Sequence, residues 1–268
     1  MPVRSIVTFV QPAEVANDPS PLSLALAWAG DLQAQLMVLA FPIDVISEEG
    51  SLAADDPQAF GAARSDILAQ ADRAGVSCTV IDRSSFAYGI GEVFADHLKV
   101  ADLGLLQGRH GPLTGERLLA HAALFDSGRP LVLAPRDATL ALPRRRALIA
   151  WDGTHAAARA MQDAVSLLPA GSAAIVARVT DDKAIRMDQS GIEAARHLAR
   201  HGIQASFLEI PRAGRDVYDA LLTGAKEAGC DLIVAGAVRH SPVHELIWGS
   251  VTGRVLDGDC PLPVLLSA

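Results

Sequence analysis

Along the 268 residues, short apolar runs rich in Val, Ile and Leu alternate with segments of helical period, and the alternation is written twice. In the first half the apolar runs lie at 5–10, 36–41, 77–81, 103–106 and 131–134. In the second they lie at 147–151, 174–179, 205–210, 232–235 and 264–266. Helical periods fall at 22–33, 58–74, 89–100 and 116–127, then at 155–168, 191–201, 216–228 and 249–256. Runs without polar alternation fit strands buried on both faces, and amphipathic helices between them fit crossover connections. The pattern therefore predicts parallel sheets covered by helices. The segment 155–168 illustrates it: Met161, Ala164, Val165 and Leu168 share one helical face. Thr154 is placed to cap that helix, and Pro169 follows its end.

Local matches between the halves point to duplication. Arg4-Ser-Ile-Val-Thr-Phe parallels Arg146-Ala-Leu-Ile-Ala-Trp, Ala101-Asp-Leu-Gly-Leu-Leu parallels Cys230-Asp-Leu-Ile-Val-Ala, and Gly128-Arg-Pro-Leu-Val-Leu parallels Pro261-Leu-Pro-Val-Leu-Leu. The stretch 135–146, with two prolines and Arg144, Arg145 and Arg146 in a row, reads as a linker. Domains are expected at 1–135 and 146–268. The arginine run fits a solvated pre-strand segment better than a phosphate or partner site.

Half of the chain is hydrophobic and 20% is charged, as in a well-packed globular protein. A net charge of −8 lacks the basic face that nucleic acid requires. No apolar run approaches the length of a membrane span. The first residues show no signal-peptide pattern, so a cytoplasmic location is expected. Cys78, Cys230 and Cys260 form no C-x-x-C pair, which disfavours a disulfide framework or a zinc knuckle.

The stretch 231–255 carries the most chemistry. A buried run ends at Gly236, and after a loop a helix opens at Gly249-Ser250. Free N–H groups and the positive helix end at such a place suit a phosphate. Asp152-Gly153 follows the first apolar run of the same half. An aspartate there can accept hydrogen bonds from a ribose hydroxyl or an adenine amine, or Asp152-Gly153-Thr154 can be a tight turn with a capping threonine.

The segments 150–160, 197–202 and 230–266 resemble the second half of tandem universal stress proteins of bacteria. The first half resembles them by pattern and by the ending Ala122-Ala-Leu-Phe-Asp-Ser-Gly-Arg-Pro130. The resemblance implies two Rossmann-like α/β domains, each a five-stranded parallel sheet of order 3-2-1-4-5 with helices on both faces. It also implies a role in stress response. Members of that family divide into ATP binders and non-binders. The binders carry an aspartate after strand one and a Gly-x-x-Gly-x9-Gly-Ser/Thr motif after strand four. Carried over by position, Asp152 with Gly153, Val179 at the end of strand two, Gly236, Gly249 and Ser250 would hold the nucleotide. Arg239 stands where the second glycine belongs. Three readings of Arg239 remain open. It blocks the phosphate niche, it pairs with phosphate oxygens, or it points to solvent.

In the first half Val10 and Gln11 occupy the positions of Asp152 and Gly153. Gly108-Arg-His-Gly111 is followed by His121-Ala122 rather than Gly-Ser. No nucleotide is expected there. His197 and His201 are four apart on a helix without a third ligand, so no metal is expected. His240 and His244 share that spacing around Pro242. The segment 42–57 reads as a loop over the first crevice.

No nucleophile elbow, lysine-bearing P-loop or cysteine–histidine pair is present, so no catalysis beyond slow ATP hydrolysis is expected. The leading reading is a stress protein binding ATP or another adenine nucleotide in its second half. The alternative is a nucleotide-free interaction module with its crevice blocked by Arg239. An enzyme on a similar hydrolase-like fold is the third. The fifth strands, 131–134 and 264–266, would lie at sheet edges, through which the resembled family dimerises. An internal pseudo-dimer of the two domains is therefore expected, with a further homodimer and unidentified protein partners left open.

Overall fold

Strands whose side chains are apolar on both faces can sit only where helices cover both sides of a sheet, and every strand pair described here is parallel. The computed structural model describes residues 2–17, 20–41, 57–81, 89–107, 115–138, 141–142, 146–180, 190–238, 251–258 and 260–268. The chain divides into two compact units. One comprises Pro2–Leu142 with Leu256–Gly258, the other Pro143–Val255 with Asp259–Ala268.

The first unit contains β1 (Ser5–Val10), a short 3-10 turn (Pro12–Glu14), α1 (Pro21–Leu32), β2 (Gln35–Ala40), α2 (Pro57–Ala74) and β3 (Cys78–Ile81). It continues with α3 (Ile90–Lys99), β4 (Leu103–Gln107), α4 (Gly115–Asp126) and β5 (Leu131–Ala134). The strands are ordered β3-β2-β1-β4-β5. The second unit contains β6 (Arg146–Ala150), α5 (His155–Leu167), β7 (Ala173–Thr180), α6 (Ser190–Arg200) and β8 (Gln204–Pro211). After these come α7 (Val217–Glu227), β9 (Leu232–Gly236), α8 (Val251–Leu256), of which Val251–Val255 belong to this unit, and β10 (Val264–Ser267). Its order is β10-β9-β6-β7-β8. Numbered within each unit, both orders read 3-2-1-4-5, as the resemblance implied. The segment 42–56, expected to cover the first crevice, lies outside the described residues, as do Arg144 and Arg145.

Local chemistry explains the helix boundaries. Ser20 opens α1 with a capping box: its Oγ accepts from Ser23 N–H at 3.1 Å, and its own N–H donates to Ser23 Oγ at 2.8 Å. Thr154 caps α5, and Asp216 caps α7 by accepting from Asp219 N–H. At the other ends, arginines meet orphan carbonyls. Arg129 donates to Lys99 O at the end of α3, and Arg146 donates to Ala228 O beyond α7. That contact is what Arg146, in the arginine run, does in the fold.

The repeated Ala-Asp-Leu and Cys-Asp-Leu sequences have one structural purpose. Asp102 Oδ2 accepts from Arg4 N–H, Ser5 N–H and the Ser5 hydroxyl at 2.9–3.0 Å. Asp231 Oδ1 accepts from Arg146 N–H at 3.0 Å. Each aspartate pins the start of its unit's first strand to the start of the fourth. None of the described helices is long and apolar enough to cross a membrane.

Burial works to raise the Asp102 carboxyl, but the hydrogen bonds from Arg4 and Ser5 and the Arg129 charge hold it below its ordinary value. An Asp102→Ala chain is expected to lose about 1–3 kcal/mol in urea unfolding at neutral pH, because three donors lose their acceptor. A depressed folded-state pKa means that the stabilisation is fully present above the unfolded-state value. It fades as pH falls through the folded-state value, so parent and variant should converge in acid.

Candidate functional site

In each unit the first and fourth strands are neighbours whose connections leave in opposite senses, so their carboxyl ends open a crevice. In the second unit β6 pairs with β9 through Ala147–Leu232, Leu148–Ile233 and Ile149–Val234. Two residues further on, Trp151 stands level with Gly236. On the other side Ala150 pairs with Ala177, which places Val179 level with Asp152. Asp152, Gly153, Val179 and Gly236 therefore lie at the ends of three adjacent strands, at the carboxyl edge of the sheet. Trp151 Nε1 donates to Ser190 Oγ at 3.0 Å and ties the end of β6 to the start of α6.

Asp152 and Gly153 are exposed, and Gly153 has φ of +74°, a left-handed turn that favours glycine. Asp152 Oδ1 accepts from Thr154 N–H at 3.0 Å and from the Thr154 hydroxyl at 2.6 Å. The same hydroxyl oxygen accepts from Ala157 N–H at 3.2 Å and so caps α5. The tight-turn reading of these residues is thus realised in the fold. It leaves Asp152 Oδ2 without a protein partner among the described residues.

Gly236 is required by packing. Its backbone is not left-handed. Instead, a Cβ there would stand 2.5 Å from Ala157 N and 2.6 Å from Ala156 C. The end of β9 packs directly against the first turn of α5, and only glycine allows that approach. Asp152, Thr154, Ala157 and Gly236 form one continuous cluster. Arg239, Gly249 and Ser250 lie outside the described residues, as do His240 and His244. Helix α8, as described, begins at Val251.

At the matching strand ends the first unit has a polar bridge and a buried aromatic contact. Gln11 Nε2 donates to Glu116 Oε1 at 2.9 Å, joining the end of β1 to the first turn of α4. A carboxylate is favourable at a helix N-terminus, so Glu116 sits where an anionic ligand group would be stabilised. Phe41 follows β2, at the level that Thr180 holds in the second unit. Phe41 is 1% exposed and packs on Phe9 with ring centroids 4.9 Å apart. His121 and Ala122 fall inside α4, where N–H groups bond the preceding turn. Gly108 and Gly111 lie outside the described residues. Neither the Gln11–Glu116 bridge nor the role of Phe41 was read from the sequence. The only signal was a long polar side chain where the second half has Gly153.

Among the described residues no group of three or more His, Cys, Asp or Glu could hold a metal ion. His197 contacts Gln162 Oε1 at 3.2 Å and faces His201 with ring centroids 4.8 Å apart. His201 lies just beyond α6. The three cysteines are free thiols.

Two measurements follow from this geometry. Gly236→Ala drives a methyl group into the backbone of α5 and should destabilise the protein by about 1–3 kcal/mol in chemical unfolding. Burial pushes the thiols of Cys78 and Cys230 up to about 11, Arg146 and Asp231 acting as smaller opposed influences on Cys230. At about pH 8 the thiolate fraction is then roughly one in a thousand. Alkylation of the folded protein should be slow, rising about tenfold per pH unit and sharply on unfolding.

Residues 143–267 match the family model described as Universal stress protein family. Among curated proteins none matches the chain in sequence. Solved structures do. A universal stress protein from Archaeoglobus fulgidus DSM 4304 is similar with a TM-score of 0.67 and 17% identity, over 97% of this chain and 95% of that one. A protein from Pseudomonas aeruginosa PAO1 is similar with a TM-score of 0.62 and 18% identity, over 99% of this chain and 92% of that one. At these identities the likeness is one of fold. With the family match covering 143–267 and the strand order already established, the second half of the chain belongs to the universal stress protein family.

Proposed function

We propose that the chain is a tandem stress-response protein whose second unit binds an adenine nucleotide, ATP first among them, at the carboxyl edge of β6 and β9. The observation that carries this reading is the contrast between the two crevices. In the second unit Asp152 and Gly153 are exposed and Val179 is half-buried. In the first, Gln11 is hydrogen-bonded to Glu116 and Phe41 is buried. A scaffold that pairs the polar side chain after one first strand and leaves a carboxylate oxygen exposed after the other is expected to bind ligand at the exposed acceptor.

Each residue has a role consistent with that ligand. The Asp152 carboxylate offers an acceptor to the adenosine moiety, and Val179 flanks it from the neighbouring strand. Gly236 brings β9 against the start of α5, and the chain leaving it leads to the segment of Gly249 and Ser250. That segment would meet the phosphates. The protein would act as a sensor or switch through binding and release, with turnover at most slow. One observation favours the nucleotide-free alternative: Asp152 Oδ1 is already used by Thr154, as in a purely structural turn.

Heat denaturation of the purified protein, followed by chromatography of the supernatant, separates the readings. The expected result is adenine nucleotide released at no more than one equivalent per chain. Release from Arg239→Gly but not from the parent would instead make Arg239 a block of the phosphate niche. Absence from both would remove the site from the reading altogether.

A further inference from the structure

We infer that Thr154 is a positioning residue for the nucleotide site, acting through Asp152; the inference rests on the reading proposed above. Its hydroxyl has two partners at once. It donates its single proton to Asp152 Oδ1 at 2.6 Å and accepts from Ala157 N–H at 3.2 Å. The Thr154 N–H adds a second donor to the same carboxylate oxygen at 3.0 Å.

Both donors converge on Oδ1, so the carboxylate is held by one oxygen. Oδ2 has no protein partner among the described residues and belongs to an exposed side chain. A carboxylate fixed in this way presents one acceptor in a set direction. It therefore loses less rotational freedom when a ligand donor arrives than a free aspartate would. The anchor is itself rigid. Thr154 is fixed by the first turn of α5, and that turn is fixed by the close approach of Gly236, whose Cβ position lies 2.5 Å from Ala157 N. The hydroxyl thereby couples the acceptor after β6 to the end of β9, the two sides of the crevice. Helix capping alone requires only that the side chain accept from Ala157 N–H. The short bond to Asp152 is an additional use of the same atom.

The two uses can be separated by substitution. Serine keeps both hydrogen bonds. Glycine keeps the helix start within a few tenths of a kcal/mol but has no hydroxyl to donate. ATP binding is to be measured by calorimetry, and Tm by scanning, on the full-length parent, Thr154→Ser and Thr154→Gly. The expected result is affinity within about twofold of the parent for serine. For glycine, about tenfold weaker binding is expected with Tm within about 2 °C. Parent-like affinity in Thr154→Gly overturns the inference while leaving the nucleotide site intact. Loss of affinity in Thr154→Ser equal to that in Thr154→Gly also overturns it, because the hydroxyl would then not be the agent. A parent that binds no ATP is a different result: it overturns the proposed function and this inference with it.

Discussion

Everything at the carboxyl edge depends on one pairing, that of the first strand with the fourth. In each unit the chain winds outward through strands one, two and three, then returns to lay the fourth strand on the open side of the first. That return creates the crevice, and its register decides which residues face each other across it. The register is set at the far end of the strands. Asp102 and Asp231 each accept from the first N–H groups of the neighbouring strand, so β4 and β9 start level with β1 and β6. A one-residue slip would cost those hydrogen bonds and turn buried side chains to the wrong face. An aspartate at the start of the fourth strand makes this contact in both halves.

On this shared scaffold the halves diverge where ligand chemistry would take place. The first unit satisfies its own helix terminus with Glu116, steadies it with Gln11, and packs Phe41 against Phe9. The Phe41–Phe9 contact contributes apolar burial, and Glu116 is favourably placed in the first turn of a helix. The second unit has Gly153 and Thr180 in place of Gln11 and Phe41. Its strand ends are drawn together instead by the contact of Gly236 with α5. That approach excludes any side chain at residue 236, and it brings the acceptor oxygen of Asp152 beside a rigid helix start.

Much of this organisation was legible in the residues. The apolar runs at 5–10 and 131–134 are β1 and β5 to the residue, and the helix beginning after Thr154 has the cap its hydroxyl suggested. The parallel arrangement followed from strands without polar alternation. The site was legible only in part. The sequence placed Asp152 after strand one, Val179 at the end of strand two and Gly236 at the end of strand four, but it gave no sign of what Gly236 packs against. The close approach to Ala156 and Ala157 involves residues eighty positions away and leaves no local pattern. The same holds for Gln11 and Glu116, joined across more than a hundred residues.

Local and periodic properties were thus determined by the sequence itself: strand and helix positions, caps and an order of elements written twice. These depend on hydrophobic period and on hydrogen bonds within a few residues, both of which a linear pattern records. Tertiary structure alone decided that Gln11 meets Glu116, and why residue 236 must be glycine. It also gave the Thr154 hydroxyl two partners at once. Those outcomes depend on the separation of backbones from distant segments, a quantity fixed only when the helices settle on the sheet.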